Sequence, residues 1–401
     1  MKALDVLLGG TRVGLLEQID EEQVRFSFDE AWLGDPAAPV LGQIFEDRKP
    51  RPFESVGTLP CWFDHLLPPE GGPLRRAITR QIGADGDDGF ALLQYLGADL
   101  PGAVVLRPGL PTLAPEPRTA PEPPEPRGPL RFALAGMQMK LSIRARDRKL
   151  TLPLQGEDGD FIAKLPSPRY EDLPRVELAT MRWAALSGIE VPDIHLARVA
   201  DLDELLADSS MGPGEIFLIR RFDRLPDGGR VHIEDFGQVL DRPADDHHIY
   251  GARYEHIAVF LSYLPVSELR AFCERLVFCI LAGNTDAHLK NWSLIYPDGR
   301  HPRLSPAYDL VSSLLYEPPK KQSLALSLNN SHRFEDLGLE AWKPLSRVCR
   351  RPFEEVACWV REMTERVLAV WRERGEELPY LPAERVRIDE HMRRVPIAAG
   401  S

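Results

Sequence analysis

Positive charge is the scarcer sign in this chain: 49 Lys and Arg stand against 61 Asp and Glu, a net charge of −12 over 401 residues. An acidic chain is a poor vehicle for direct, non-specific contact with nucleic acid, so DNA contact is better delegated to a partner, although the balance still permits a local basic patch. Cysteine is scarce as well. Cys61, Cys273, Cys279, Cys349 and Cys358 are dispersed and form no CxxC pair, which argues against a structural zinc site and for a reducing compartment. No stretch approaches 18 apolar residues, so no membrane span is expected. A basic amphipathic segment is absent, which weighs against a membrane-surface substrate, and no HExxH supports a zinc hydrolase. The opening MKALDVLLGG carries Asp5 inside a short apolar run, unlike a signal peptide. Together these absences predict a soluble, cytoplasmic protein without a membrane partner.

What is present is globular: 43% hydrophobic and 27% charged residues, with length for two or three domains. Residues 111–129, PTLAPEPRTAPEPPEPRGP, hold eight prolines and no aromatic residue, the composition of an extended, solvated linker or of a proline-motif ligand. The chain divides accordingly into residues 1–107, a linker over 108–129, and the remainder. In the first part Gly9-Gly10 reads as a hairpin turn, a third strand follows at Val24–Phe28, and helical patterns occupy 61–67, 73–82 and 88–96. This predicts a small α+β domain with no chemistry of its own.

After the linker, strands are expected near 131–134, 139–145 and 160–165. A helix over RVELATMRWAALSG closes at Gly188, and strands follow near 194–200 and 215–221. From about 234 the chain turns helical, with apolar periodicity through 252–282 and 353–373. A strand-rich lobe (130–233) followed by a helical lobe (234–401) leaves a cleft between them, where ligands sit.

Phosphoryl transfer needs a backbone cradle for phosphates, a strand lysine, a group to orient the attacking hydroxyl, and oxygen ligands for Mg²⁺. Candidates for each occur in that chain order. LAGMQMK, with Gly136 and Lys140, is a cradle or a plain hairpin. Lys164 in FIAKLP is a buried strand lysine seeking an anion or a snorkelling edge lysine; Glu177 on the next helix is its partner or a solvated residue. The strongest signal is LAGNTDAHLKNWSLIY at 281–296. Asp286 and Asn291 stand as D-x-x-x-x-N, the spacing that puts a hydroxyl-orienting Asp and a metal-binding Asn on one kinase loop. His288 and Lys290 fall between them, and Lys290 could stabilise the transferring group. Beyond a short hairpin, WSLIYPDGRHPRL, Asp309 in PAYDLVSS would supply a second hard oxygen ligand. The plain alternative makes Asp286 a cap and Asp309 a turn residue. The cluster Asp245, Asp246, His247, His248 and His256 reads as a solvated polar loop.

LAGMQMKLS, FIAKLP, IRRFDR, EDFGQVL, GNTDAHLKN and PAYDLVSS resemble the motifs of the HipA family of serine/threonine-protein kinases, toxins of bacterial toxin–antitoxin pairs. The resemblance runs from about residue 3 to about 370. It implies a two-lobed protein-kinase-like fold preceded by a small α+β N-terminal domain, and it implies ATP and Mg²⁺. By resemblance Asp286 is catalytic and Asn291 and Asp309 hold the metal. Lys164 and the loop Ala135, Gly136, Met137, Gln138, Met139 and Lys140 contact the phosphates. Arg220, Arg221 and Phe222 form the strand that meets adenine, mainly through backbone groups, and His288 and Tyr308 lie near the nucleotide. The resemblance also implies a protein substrate in translation, such as an aminoacyl-tRNA synthetase, and a small helix-turn-helix antitoxin (HipB-like) that carries the DNA contact. One departure stands out: Ala133 occupies the position of the family serine whose autophosphorylation ejects the loop, and Ser142 lies beyond that loop. The competing functions are a kinase for lipid or small-molecule hydroxyls and a non-catalytic binding module on the same fold.

Overall fold

Gly9 and Gly10, both at positive φ, turn the chain between strands Lys2–Leu8 and Thr11–Gln18. In the computed structural model, which describes residues 2–110 and 140–399 apart from 21–22, 47, 58, 84–87, 147–148, 152–158, 167–169, 171, 203–213 and 319–321, this hairpin starts a five-stranded antiparallel sheet. Gln23–Phe28 and Phe53–Val56 extend one side, and Val104–Pro108 adds the opposite edge. The last strand was not anticipated. Its Pro108, placed in the linker by composition, pairs with Leu4 on an edge strand, where a residue without an N–H is tolerated. Helices Cys61–Asp64, Pro73–Ile82 and Gly89–Leu96 sit near their expected positions, the last capped by Asp88 accepting from the Ala91 N–H at 3.0 Å. Leu4, Val6, Phe26, Trp62, Phe63 and Leu93 form the centre of this unit's own apolar core.

A second five-stranded antiparallel sheet runs in the spatial order Lys149–Thr151, Lys140–Arg146, Phe161–Lys164, Glu215–Arg220, Ile194–Arg198. The strand expected at 131–134 lies outside the described residues. Helix Leu173–Leu186 packs on this sheet and ends in a Schellman motif: Gly188 sits at φ 86, its N–H reaches the Ala185 carbonyl, and the Ile189 N–H reaches Ala184. The expected C-terminal glycine therefore serves as read.

The short hairpin expected over WSLIYPDGRHPRL forms within the helical lobe, and a strand that was not anticipated pairs with it. His232–Asp235 is a strand, paired with Ser293–Tyr296, which pairs in turn with Arg303–Leu304. Its partner lies some sixty residues away, so nothing local in HIED announces it. Helices Tyr254–Leu261, Val266–Ala282 and Phe353–Arg374 follow, and Pro382–Arg394 adds a helix beyond the expected ones. Every residue from Leu276 to Ala282 is buried, so Val266–Ala282 runs through the core of the helical lobe. No helix among the described residues is long and apolar enough to cross a membrane.

Candidate active site

The core helix Val266–Ala282 ends at Gly283, whose φ of 66 turns the chain out of the helix. A Cβ there would collide with the Leu314 side chain, so the backbones of two loops approach at this glycine, and the Leu314 N–H donates to its carbonyl at 3.0 Å. The first loop carries Asp286 to Asn291; the second carries Asp309. Asn284, which was not singled out from the sequence, joins them. It is buried, its Oδ1 accepts from the Asp286 N–H at 2.9 Å, and its Nδ2 reaches the Asp309 carbonyl at 3.5 Å. A buried amide that bonds two backbones carries no periodicity to betray it, and its one cue was its place directly after Gly283.

The Asp286 carbonyl accepts from the His288 N–H (2.9 Å) and from Asn291 Nδ2 (2.7 Å), which folds the six-residue stretch into a closed turn. The next peptide is pinned from below: the Ala287 carbonyl accepts from the Tyr254 hydroxyl at 3.1 Å and the Trp292 indole at 3.2 Å. The Asp286 side chain itself is exposed and accepts from the Tyr250 hydroxyl. This bonding pattern is more than a helix cap: Asp286 sits past the helix end and its carboxylate bonds none of the helix N–H groups.

Lys164 meets two carboxylates. Its ammonium bonds Glu177 and Asp309 Oδ1, while Lys140 holds Asp309 Oδ2 at 2.6 Å. Lys164 and Glu177 are buried, which rules out both the edge lysine and the solvated glutamate. Burial alone would lower the Lys164 pKa, but Asp309 and Glu177 outweigh it and raise it. Burial likewise pushes Asp309 up, yet Lys140 and Lys164 outweigh it and hold the carboxylate well below its ordinary range. For Glu177 burial wins and its pKa is raised despite Lys164. Asp309 has a φ of 54, a left-handed conformation that Asp and Asn adopt more readily than other non-glycine residues.

Other expected residues fall differently. Ala133 and the cradle Ala135, Gly136, Met137, Gln138 and Met139 lie outside the described residues. His288 accepts the Lys290 N–H on Nδ1 at 3.2 Å and lies edge-on to Tyr250. Tyr308 donates to the Lys290 carbonyl at 2.8 Å, and its ring lies 5.8 Å from that of Phe222. The strand ends at Arg220, so Arg221 and Phe222 follow it rather than belong to it. The Arg221 side chain turns away from the cleft to Asp99, Asp223 and the Leu100 carbonyl, a structural ion pair with the N-terminal domain. Lys290, read as a group that could stabilise the transferring phosphoryl, donates from Nζ to the His65 carbonyl at 3.2 Å. That contact gives the N-terminal domain, read as chemically silent, a hold on the loop. His65 is wedged so closely that a Cβ on Gly237 would strike its ring; its Nε2 bonds the Arg242 carbonyl at 2.8 Å. Ser142 Oγ donates to Asp99 at 2.6 Å.

Asp245, His247 and His248 bring possible metal-ligand atoms within 4.8 Å of one another. They do not form the expected loop: Asp245 caps helix Asp246–Tyr250 by accepting from the His248 N–H at 3.1 Å, and its carboxylate also holds the His248 ring.

A strand-rich lobe whose lysine is buried against a helix glutamate, facing a helical lobe with a polar loop and a second aspartate, defines the class: a two-lobed, kinase-like fold with an α+β domain in front. The HipA N-terminal domain matches residues 4–107 and the HipA-like C-terminal domain matches residues 132–371, so the chain belongs to the HipA family and is a kinase by kinship. It is 37% identical to Y4dM of Sinorhizobium fredii over 399 residues, 97% of this chain and 96% of that protein. It is 26% identical to the serine/threonine-protein kinase toxin HipA of Shewanella oneidensis, over 82% of this chain and 78% of that one. The fold matches that of HipA in a complex of Shewanella oneidensis HipA, HipB and operator DNA, with a TM-score of 0.73, 20% identity, and coverage of 99% and 96% of the two chains.

Proposed function

We propose that this chain transfers the γ-phosphoryl group of ATP, with Mg²⁺, to a serine or threonine hydroxyl of a cytoplasmic protein, and that it acts as a growth-arresting toxin. A translation component such as an aminoacyl-tRNA synthetase is the expected target class. The observation that carries this reading is the join at Asn284: it ties the Asp286 loop to the Asp309 loop, while Lys164, fixed by Glu177, reaches the same Asp309 from the other lobe.

Within that arrangement Asp286 would accept the proton of the attacking hydroxyl. Asn291 and Asp309 fit a hard divalent cation, because an amide oxygen and a carboxylate held ionised are the donors Mg²⁺ takes. The bound ion would neutralise phosphate charge. Lys164 and Lys140 would bind phosphate oxygens. Phe222 and Tyr308 would flank the base, with His288 nearby. Lys290 would brace the loop from the N-terminal domain.

The test is transfer of label from γ-labelled ATP in the presence of Mg²⁺, with Asp286→Ala and a chelator as controls. Label on serine or threonine after acid hydrolysis is expected. Label confined to a lipid or small molecule, or none, would overturn the reading. The HipA relative with HipB and DNA supports a second element: a HipB-like helix-turn-helix partner that carries the DNA contact here as well. With a net charge of −12, the chain alone should give no salt-resistant, sequence-specific gel shift.

A further inference from the structure

The carboxylate assigned above to the hydroxyl proton already holds a hydroxyl. Tyr250, the last residue of helix Asp246–Tyr250, donates to Asp286 Oδ1. Its ring is supported edge-on by His288, with centroids 4.8 Å apart. Burial and then the Asp286 charge push the phenol well above its ordinary pKa, so it remains a donor throughout the working pH range. Nothing in the phosphate-binding or metal-binding sets uses this contact.

Asp286 is exposed, and an exposed carboxylate in this position would otherwise bind water. We propose that Tyr250 is a positioning and specificity-determining residue: it occupies Asp286 with a tethered hydroxyl until the hydroxyl of a docked substrate displaces it, and so keeps water from becoming the acceptor. This rests on the kinase reading. The side reaction it suppresses is hydrolysis. There the water oxygen bonds the γ-phosphorus of ATP, one water proton passes to Asp286, the bond from that phosphorus to the ADP oxygen breaks, and ADP and inorganic phosphate leave. The exchange is asymmetric. Swapping one hydroxyl for another on a carboxylate changes the hydrogen-bond energy little. A tethered hydroxyl outcompetes a diffusing water through its effective concentration. A protein substrate brings docking energy of its own and can displace it.

The experiment compares full-length wild type with Tyr250→Phe, which keeps the ring against His288, in ATP hydrolysis with Mg²⁺ and no acceptor protein. Hydrolysis should rise about tenfold, a fraction of what a positioned base supplies, with KM for ATP unchanged. Adding Asp286→Ala should abolish the gain. A gain of turnover is not what damaged folding produces. In parallel, transfer to dephosphorylated casein is measured as a generic acceptor. If wild type labels casein or itself while Tyr250→Phe hydrolyses no faster, the proposal fails and the kinase reading stands. If neither protein turns ATP over, both fail. Phosphate on Tyr250 in the intact-mass and peptide spectra would also overturn the proposal, because the residue would then be an acceptor.

Discussion

Two clusters in this molecule contain the same charges, two cations and two carboxylates, yet are built for different ends. At the junction with the N-terminal domain, Arg221 and Arg224 interlock with Asp99 and Asp223. Arg221 grips both oxygens of Asp223 (3.1 and 2.9 Å), and Asp223 also accepts the Gly102 N–H at 2.7 Å. In the cleft, Lys164 and Lys140 meet Glu177 and Asp309. The Arg221, Asp223 and Arg224 side chains are 5–6% exposed and Asp99 20%; Lys164 and Glu177 are as buried at 6% and 2%, Asp309 is 17% exposed, and Lys140, at 49%, is the member that opens the cleft cluster. Guanidinium forks fix geometry and close the junction; ammonium groups are point charges with rotatable donors, and they leave a cluster that can exchange partners. The contrast teaches that residue type, more than charge count, separates a structural clamp from a cluster whose pairs can be exchanged.

The sharpest break is Asp309→Asn. It removes one carboxylate from the open cluster while asparagine still tolerates the left-handed backbone and Glu177 still pairs with Lys164, so phosphotransfer should fall roughly 10⁴-fold in a protein that still folds. Near-normal turnover at saturating Mg²⁺ would remove Asp309 from the site. Asp223→Asn is the counterpart in the closed cluster. Breaking a buried ion-pair set by one partner costs about 3–5 kcal/mol, so urea unfolding should shift by that amount while the folded protein keeps its KM for ATP. A weakened ATP affinity with little change in stability would erase the distinction.

Glu234 extends the comparison to a buried carboxylate with neutral donors. Burial pushes it up to about 7, against hydrogen bonds from Tyr296, Trp62 and Gln43. Its folded pKa exceeds its ordinary 4.5, so the folded state binds the extra proton between those values. Its contribution is fully present below about 4.5 and is lost as pH rises through about 7, a difference on the order of 3 kcal/mol. His232, lowered by burial to about 4, acts in the opposite sense over 4 to 6.5. The informative quantity is therefore wild type minus Glu234→Gln in melting temperature across pH 5 to 8, which should shrink as pH rises; a flat difference would show that Glu234 does not titrate there. The finest test is Lys164→Arg, which keeps the charge but puts a fork where a point charge stood. ATP turnover should drop about 10²-fold with the fold intact, and full activity would show that exchangeability is not the feature that matters.

Much of the site was legible because it is local. Asp286 and Asn291 share six residues, Lys164 ends an apolar strand, and Gly188 closes a helix in sequence order. What was not legible in the site is contacts across long separations. Arg221 reads as meeting the nucleotide mainly through its backbone, and its side chain is held by Asp99, 122 residues earlier. Lys290 lies within the D-x-x-x-x-N stretch, and its ammonium bonds the His65 carbonyl, 225 residues away. Tyr250 stands in a stretch read as a solvated loop, and only the folded chain brings its hydroxyl to Asp286.

The sequence by itself determined which chemistry was available: hard oxygen donors, a strand lysine and a D-x-x-x-x-N loop, because these depend on residue type and short spacing. It also determined the order of strand-rich and helical regions, because periodicity of two or 3.6 residues is written locally. The tertiary structure decided which charges are buried together, and burial sets both pKa and pairing. It decided that Asn284 joins two loops, that His232–Asp235 is a strand, and that the N-terminal domain touches the Asp286 loop. The physical reason is the same in each case: a hydrogen bond or ion pair gains strength from desolvation, and only the folded chain removes the water.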